Sequence, residues 1–309
     1  MNKAHETGTG TVTSTETIEA ALGDLDLRPT SAVLDALLDS QRRALDAVAR
    51  SRTALDTAVS AATERLRQSS GRLVFAGAGA SGRLAVQDGA ELWPTFGWPA
   101  SRLVLAMAGG EKALLSSVEG VEDDAASARQ QAEELVLGEN DVVVALAASG
   151  ASAWTCAWLE VAGETGALGI GFANNDHSRL LDLSRCPVLL ETGSEVLAGS
   201  TRMAAGTSQK IVLNLFSTAL MVRLNRTYGN LMVDMAAVNA KLDARRVRML
   251  QDILPTLDEH AAREALAVAN GWVKLAALIA SGHGAAAGRA LLELHDGSLR
   301  AALAASNSA

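Results

Sequence analysis

Arg72–Gly97, RLVFAGAGASGRLAVQDGAELWPTFG, is the stretch that decides the fold. It opens on a short unbroken apolar run, RLVFA, the pattern of a strand buried on both faces. Glycines follow at 77, 79 and 82, and a helical stretch comes after them. Strand, glycine loop and helix make the first half of a βαβ unit. On its own, the G-x-G-x-x-G spacing is a weak sign of a dinucleotide site. Such a site also wants an acid at the end of the next strand, to hold the ribose. Here that run ends LAMAGG (105–110), and no acid comes until Glu111. There is no G-K-[ST] either, so the loop is not a P-loop.

The same grammar repeats outward from this stretch. RLVLAM (102–107), DVVVALAA (141–148), GALGIGFA (166–173) and CPVLLET (186–192) are apolar runs separated by helical segments. Strands alternating with helices predict a parallel sheet in a three-layer αβα sandwich, over roughly residues 55 to 225. Ahead of it, Leu34, Leu37, Leu38, Leu45 and Val48 recur at helical spacing within 31–68. Long helices are expected over about 201–224 and 230–250, and a small helical bundle from about Pro255. TLDE (256–259) has the spacing of a capping box, and the NG at 270 and DG at 296 read as helix ends. The expected division is a flexible segment over 1–30, a sheet-bearing domain with flanking helices over 31–250, and a small helical domain over 251–309.

A net charge of −8 and 3% aromatics disfavour nucleic-acid binding, which needs clustered cations and stacking platforms. Cys156 and Cys186 form no C-x-x-C pair and read as buried thiols in a reducing compartment. The N-terminus shows no apolar leader, and no uncharged run is long enough to span a bilayer. A soluble cytoplasmic protein, with neither membrane nor nucleic-acid partner, is the expectation.

Three loops offer hydroxyls ahead of a helix. The first carries Ser81, Gly82 and Arg83, the second Ser149, Gly150 and Ser152, the third Ser200, Thr201 and Arg202. Ser and Thr there are ordinary helix caps when taken singly. Three such loops at the strand C-termini make a phosphate site the better reading. Glu91 lies where a helix should end before Trp93-Pro94, a place the helix dipole disfavours for an acid. Function or simple solvation could explain it. Glu122, Asp123 and Asp124 open a helix, where acids are favoured. The five histidines are scattered, with no metal-ligand spacing.

The motifs together resemble the N-acetylmuramic acid 6-phosphate etherases, of the sugar isomerase (SIS) superfamily. GAGASGRL, AELWPTFG, VEGVEDD, DVVVALAASG, GSTRMAAGTSQKIVLNLFSTALMVRL and YGNLMVDMAAVNAKL carry the likeness, over about Thr15 to Leu303. The resemblance implies a homodimeric lyase that needs no metal or nucleotide cofactor. It would cleave the D-lactyl ether of N-acetylmuramic acid 6-phosphate, giving N-acetylglucosamine 6-phosphate and D-lactate. It would place the essential acid on Glu91 and a second acid on Glu122. A non-catalytic phosphosugar-binding regulator and a SIS-type sugar-phosphate isomerase are the rival readings. The chain departs from the family pattern at Ala80, Ala151, Ser152, Ala153-Trp154, Ala173 and Asn175 (either side of the retained Asn174), and Ala204; near the N-terminus it keeps Thr15 and Glu16 but has Glu19 in place of an Asn. Basic groups are thereby missing at 151 and 204, and Trp154 is expected to narrow the pocket. A helix from Ser81 to Glu91 would span about 15 Å, more than a sugar phosphate. Either that helix breaks early or Glu91 serves a pocket shared with a second subunit.

Overall fold

The computed structural model describes residues 14–67, 70–236 and 240–306; the Thr- and Gly-rich start of the chain lies outside them. Residues 14–30, read as part of a flexible segment, form three short 3-10 turns, and Thr15 is fully buried. Helices α1 (Thr30–Arg50) and α2 (Arg52–Leu66) follow, divided at Ser51, whose hydroxyl donates back to the Val48 carbonyl. The α/β part runs β1 (Leu73–Gly77), α3 (Gly79–Ala90), α4 (Leu92–Phe96), β2 (Leu103–Met107), α5 (Lys112–Leu115), α6 (Ala125–Glu134), β3 (Val142–Ala147), α7 (Ala153–Thr165), β4 (Leu168–Ala173), α8 (Arg179–Asp182), β5 (Cys186–Leu189) and α9 (Ala204–Arg223). The tail holds α10 (Ala240–Ile253), α11 (Glu259–Val268), α12 (Val273–Ala280), α13 (Ala285–Leu294) and α14 (Leu299–Ser306).

The five strands are parallel, in the order β2-β1-β3-β4-β5. Alternate residues serve opposite layers, as strand geometry requires. Leu73, Phe75, Val144, Leu146, Ile170 and Phe172 share a core with α2, α3 and α9. Val74, Ala76, Val143 and Ala145 share another with α6 and α7, including Trp154 and Trp158. Both faces are covered, so the strands read as continuous apolar runs and the sandwich is the one predicted.

Two of the loop glycines are packing devices. A Cβ on Gly82 would collide with the Gly77 carbonyl and the Met107 sulfur, and one on Gly77 would stand 2.9 Å from the Gly82 backbone. Helix α3 therefore lies directly on β1, with no side chain between them.

A third core joins Val233, Met235, Val247, Leu250, Leu266, Leu275, Leu278 and Leu292. Helix α10 belongs to it, although the sequence reading grouped that segment with the sheet. The helix expected from 230 begins at Ala240 instead. Tyr228 and Leu231 form an antiparallel bridge around Gly229, φ +57°, so this stretch turns where a helix was expected. Thr256 does not cap α11. Asp258 does, accepting the Ala261 N–H at 2.8 Å, because the chain first turns with Leu257 N–H bonded to Leu254 O. Asn270 and Asp296 adopt left-handed backbone, φ 52° and 51°, at helix ends as read.

Asp234 links this third core to the rest. Its side chain, 5% exposed, accepts from Trp272 Nε1 at 2.8 Å and Lys274 Nζ at 2.6 Å, with Arg226 at 3.6 Å. The same segment grips the turn that follows α4. Ala236 N–H bonds the Pro94 carbonyl, and Gly97, φ +61°, sits against the Asp234 carbonyl where no side chain would fit.

Arg72 and Asp141 stand side by side at the entrances to β1 and β3. The carboxylate accepts the Arg72 N–H at 2.8 Å, its guanidinium at 2.6 and 3.1 Å, and the Gly138 N–H at 2.9 Å. Burial pushes this carboxyl up, but Arg72 and the two backbone donors outweigh burial and hold it below the usual range. A carboxyl lowered on folding stabilises fully above about pH 4, and that gain is lost as pH falls through the folded value. Asp141→Asn should cost about 2–3 kcal/mol in urea unfolding at pH 7. The gap to wild type should close toward pH 3; a gap independent of pH would contradict this account.

Candidate active site

Strand order reverses between β1 and β3: the chain leaves β1 toward β2 and returns to build β3, β4 and β5 on the other side. Ligands of open α/β sheets bind at such a switch, outside the strand C-termini. Neighbouring strands lie about 4.8 Å apart, so the loops after β1 and β3, with Ser81 and Ser149, are adjacent.

The expected site residues divide by what their side chains already do. Ser81 is buried in the first turn of α3, and its hydroxyl has no partner among the described residues. Gly82 is held by packing, and its N–H bonds the Ala78 carbonyl. Arg83 is already engaged: its guanidinium donates to the carbonyls of Ala113 and Ser116, latching the loop after β2. Ser149 accepts only the Ala151 N–H, at 3.1 Å. Gly150, φ +67°, lies against Ser178, where a side chain would clash. Ser152 is the cap of α7; it accepts from Thr155 and donates to the Glu122 carbonyl at 3.1 Å. Ser200 and Thr201 have no side-chain hydrogen bond, and Arg202 is exposed and unpaired, among the described residues. Open hydroxyls therefore remain at Ser81, Ser200 and Thr201, with lone pairs free on Ser149.

Sequence reasoning missed Glu195. It is 1% exposed, and its carboxylate accepts the N–H groups of Ala204 and Ala205 at 3.0 and 2.9 Å. The positive end of α9 is thus already occupied by an anion of the chain itself. These two amides are therefore not free for an incoming anion. An acid nine residues upstream of a helix start gives no local sign of this role. Ala204 is fully buried, so the position lacking a basic group faces the interior. Trp154 is core as well, 1% exposed with its ring 5.9 Å from that of Trp158, and does not narrow the pocket.

The two candidate acids are placed differently. Trp154 N–H and Ser152 Oγ both donate to the Glu122 carbonyl, so Glu122 is tied to the 149–152 loop, with its side chain exposed. Glu91 is the C-terminal cap of α3, which runs unbroken from Gly79, and it is exposed at the far end of that helix. Its distance from Ser81 is therefore about 15 Å, and the early helix break is excluded. Near it, Asp88 is 3% exposed and accepts from Asn214 at 2.6 Å and Lys210 at 3.4 Å, so Lys210 neutralises a buried acid. Among the described residues no group of three His, Cys, Asp or Glu could hold a metal. A cleft of about 570 Å³ adjoins the third loop, between Ile18, Leu22, Val33 and Glu195–Ala198.

Residues 54–161 match the family described as the glucokinase regulatory protein N-terminal SIS domain. The N-acetylmuramic acid 6-phosphate etherase of Deinococcus radiodurans is 46% identical over 262 residues, 85% of this chain and 85% of that protein. That of Rubrobacter xylanophilus is 41% identical over 280 residues, 91% of this chain and 92% of that protein. A phosphoheptose isomerase from Francisella tularensis overlays 63% of this chain and 100% of its own, at 16% identity and a TM-score of 0.47. At 46% and 41% identity over most of both lengths, with the sheet, switch point and loops in place, the chain belongs to the N-acetylmuramic acid 6-phosphate etherase family.

Proposed function

We propose that the protein is a carbon–oxygen lyase that cleaves the D-lactyl ether of N-acetylmuramic acid 6-phosphate. The observation that carries this reading is the family match over most of the chain, with both candidate acids present as Glu91 and Glu122. The 6-phosphate sits on the hydroxyls of Ser81, Ser149, Ser200 and Thr201 at the switch point. Ring opening puts an aldehyde at C1 and makes the C2 proton acidic. Glu91 takes that proton, the C3–O bond breaks, and Glu122 protonates the departing lactate oxygen. Water then adds across the new C2–C3 double bond, with hydroxyl to C3 and proton to C2. No step draws on a metal or nucleotide. The free buried thiols Cys156 and Cys186 suit a reducing cytoplasm.

The separation of Glu91 from the hydroxyls supports a homodimer with a shared pocket, in which Glu91 faces the cradle of a second copy. Helix α9 is mostly core. Leu34, Leu38 and Leu45 on α1 are each more than half exposed and supply an apolar face for a second copy.

Glu91→Gln should lower D-lactate release from N-acetylmuramic acid 6-phosphate by about 10²–10⁴. Near-normal turnover by this variant would remove Glu91 from the mechanism, and a wild type that binds the substrate without releasing lactate would favour the regulator. Ser200→Ala should weaken N-acetylglucosamine 6-phosphate by about 1–3 kcal/mol in calorimetry. Ala151 is exposed on its loop, so Ala151→Arg has room to add an anion contact. It should tighten the same ligand about tenfold, and an unchanged affinity would place Ala151 outside the site.

A further inference from the structure

The turn Ser14–Glu16 has no part in the reaction above, yet it is built into the same corner of the fold. Asn175, just past the C-terminal end of β4, holds it: Oδ1 accepts from Ser14 Oγ at 2.8 Å and the Thr15 N–H at 3.4 Å, and Nδ2 donates to Thr15 Oγ1 at 3.1 Å. The same Nδ2 donates to the carbonyl of Ala148, the residue before Ser149. From the other side, the Gly199 N–H bonds the Thr15 carbonyl at 3.1 Å. The turn therefore bridges the second and third hydroxyl loops.

This places Glu16 at the lip of the cradle. A Cβ built on Gly199, the residue before Ser200, would stand 2.7 Å from Glu16 Oε2. Gly199 has φ +76°, a conformation suited to glycine, so the close approach is open only to this residue type. The Glu16 side chain is exposed and has no hydrogen-bond or ion-pair partner among the described residues. A free carboxylate within a Debye length of a phosphate repels it. It contributes nothing to holding the phosphate. What it offers is acceptors, and a sugar carries the matching donors in its hydroxyls and, when acylated on nitrogen, an amide N–H.

We infer that Glu16 is a specificity-determining residue: its carboxylate accepts hydrogen bonds from the sugar once the phosphate is seated on Ser200 and Thr201. The inference rests on the phosphosugar cradle proposed above and not on turnover. The cradle holds the phosphate, and Glu16 reads what the phosphate is attached to.

The test is calorimetric titration of the full-length protein with N-acetylglucosamine 6-phosphate and, separately, inorganic phosphate. Glu16→Ala should weaken the sugar phosphate about tenfold, the loss of one charge-assisted hydrogen bond. It should leave inorganic phosphate unchanged or tighter, since a repulsive charge has gone. Glu16→Gln keeps an acceptor and should recover part of the sugar phosphate affinity. Equal sugar phosphate affinity in wild type and Glu16→Ala would overturn the inference, as would a parallel loss of both ligands. A wild type that binds neither ligand would remove the cradle and this role together. A wild type that binds both but releases no lactate would end the lyase reading and leave the role of Glu16 standing.

Discussion

The contact of α3 with β1 through Gly77 and Gly82 governs where everything else in the site can stand. With no side chain in the gap, the helix lies flat on the sheet and runs back along it. Its first turn is then fixed at the strand C-termini, and its last turn at the opposite edge. Ser81 and Glu91 belong to one rigid rod and cannot approach each other. This separation along one helix is what the proposed two-subunit pocket rests on.

Anion handling in the fold is divided between fixed and open groups. Glu195 already satisfies the two leading amides of α9, and Lys210 is committed to Asp88. Arg83 holds backbone carbonyls. These groups are already committed within the fold. The hydroxyls, by contrast, are left open, and a hydroxyl can turn to donate to a phosphate without a buried charge having to move. Such a site is polar but not strongly cationic, in keeping with the acidic balance of the whole chain.

The strands were legible because burial on both faces leaves an unbroken apolar signature, and all five runs quoted from the sequence became strands. The helical stretch over 31–68, though divided at Ser51, and the helix ends at Asn270 and Asp296 followed local chemistry in the same way. What failed was long-range. The helix expected from about 230 fails over Leu231–Met235, which reach the third core from a turn while Asp234 bonds Lys274 and Trp272. Trp154 looked like a pocket wall only because it is near Ser152 in sequence; α7 turns it into the core. Glu195 stayed hidden because its partners are backbone amides nine and ten residues further along the chain.

Asp234 also sets an order of assembly. Two of its three cationic or N–H donors, Trp272 and Lys274, come from the last quarter of the chain. Until that part is folded, a carboxylate that is nearly excluded from water lacks the partners that make its burial tolerable. The turn at Pro94–Gly97 leans on this segment, and Glu91 stands just ahead of that turn. A chain emerging from its N-terminus would complete the sheet first and secure the turn at Pro94–Gly97 last.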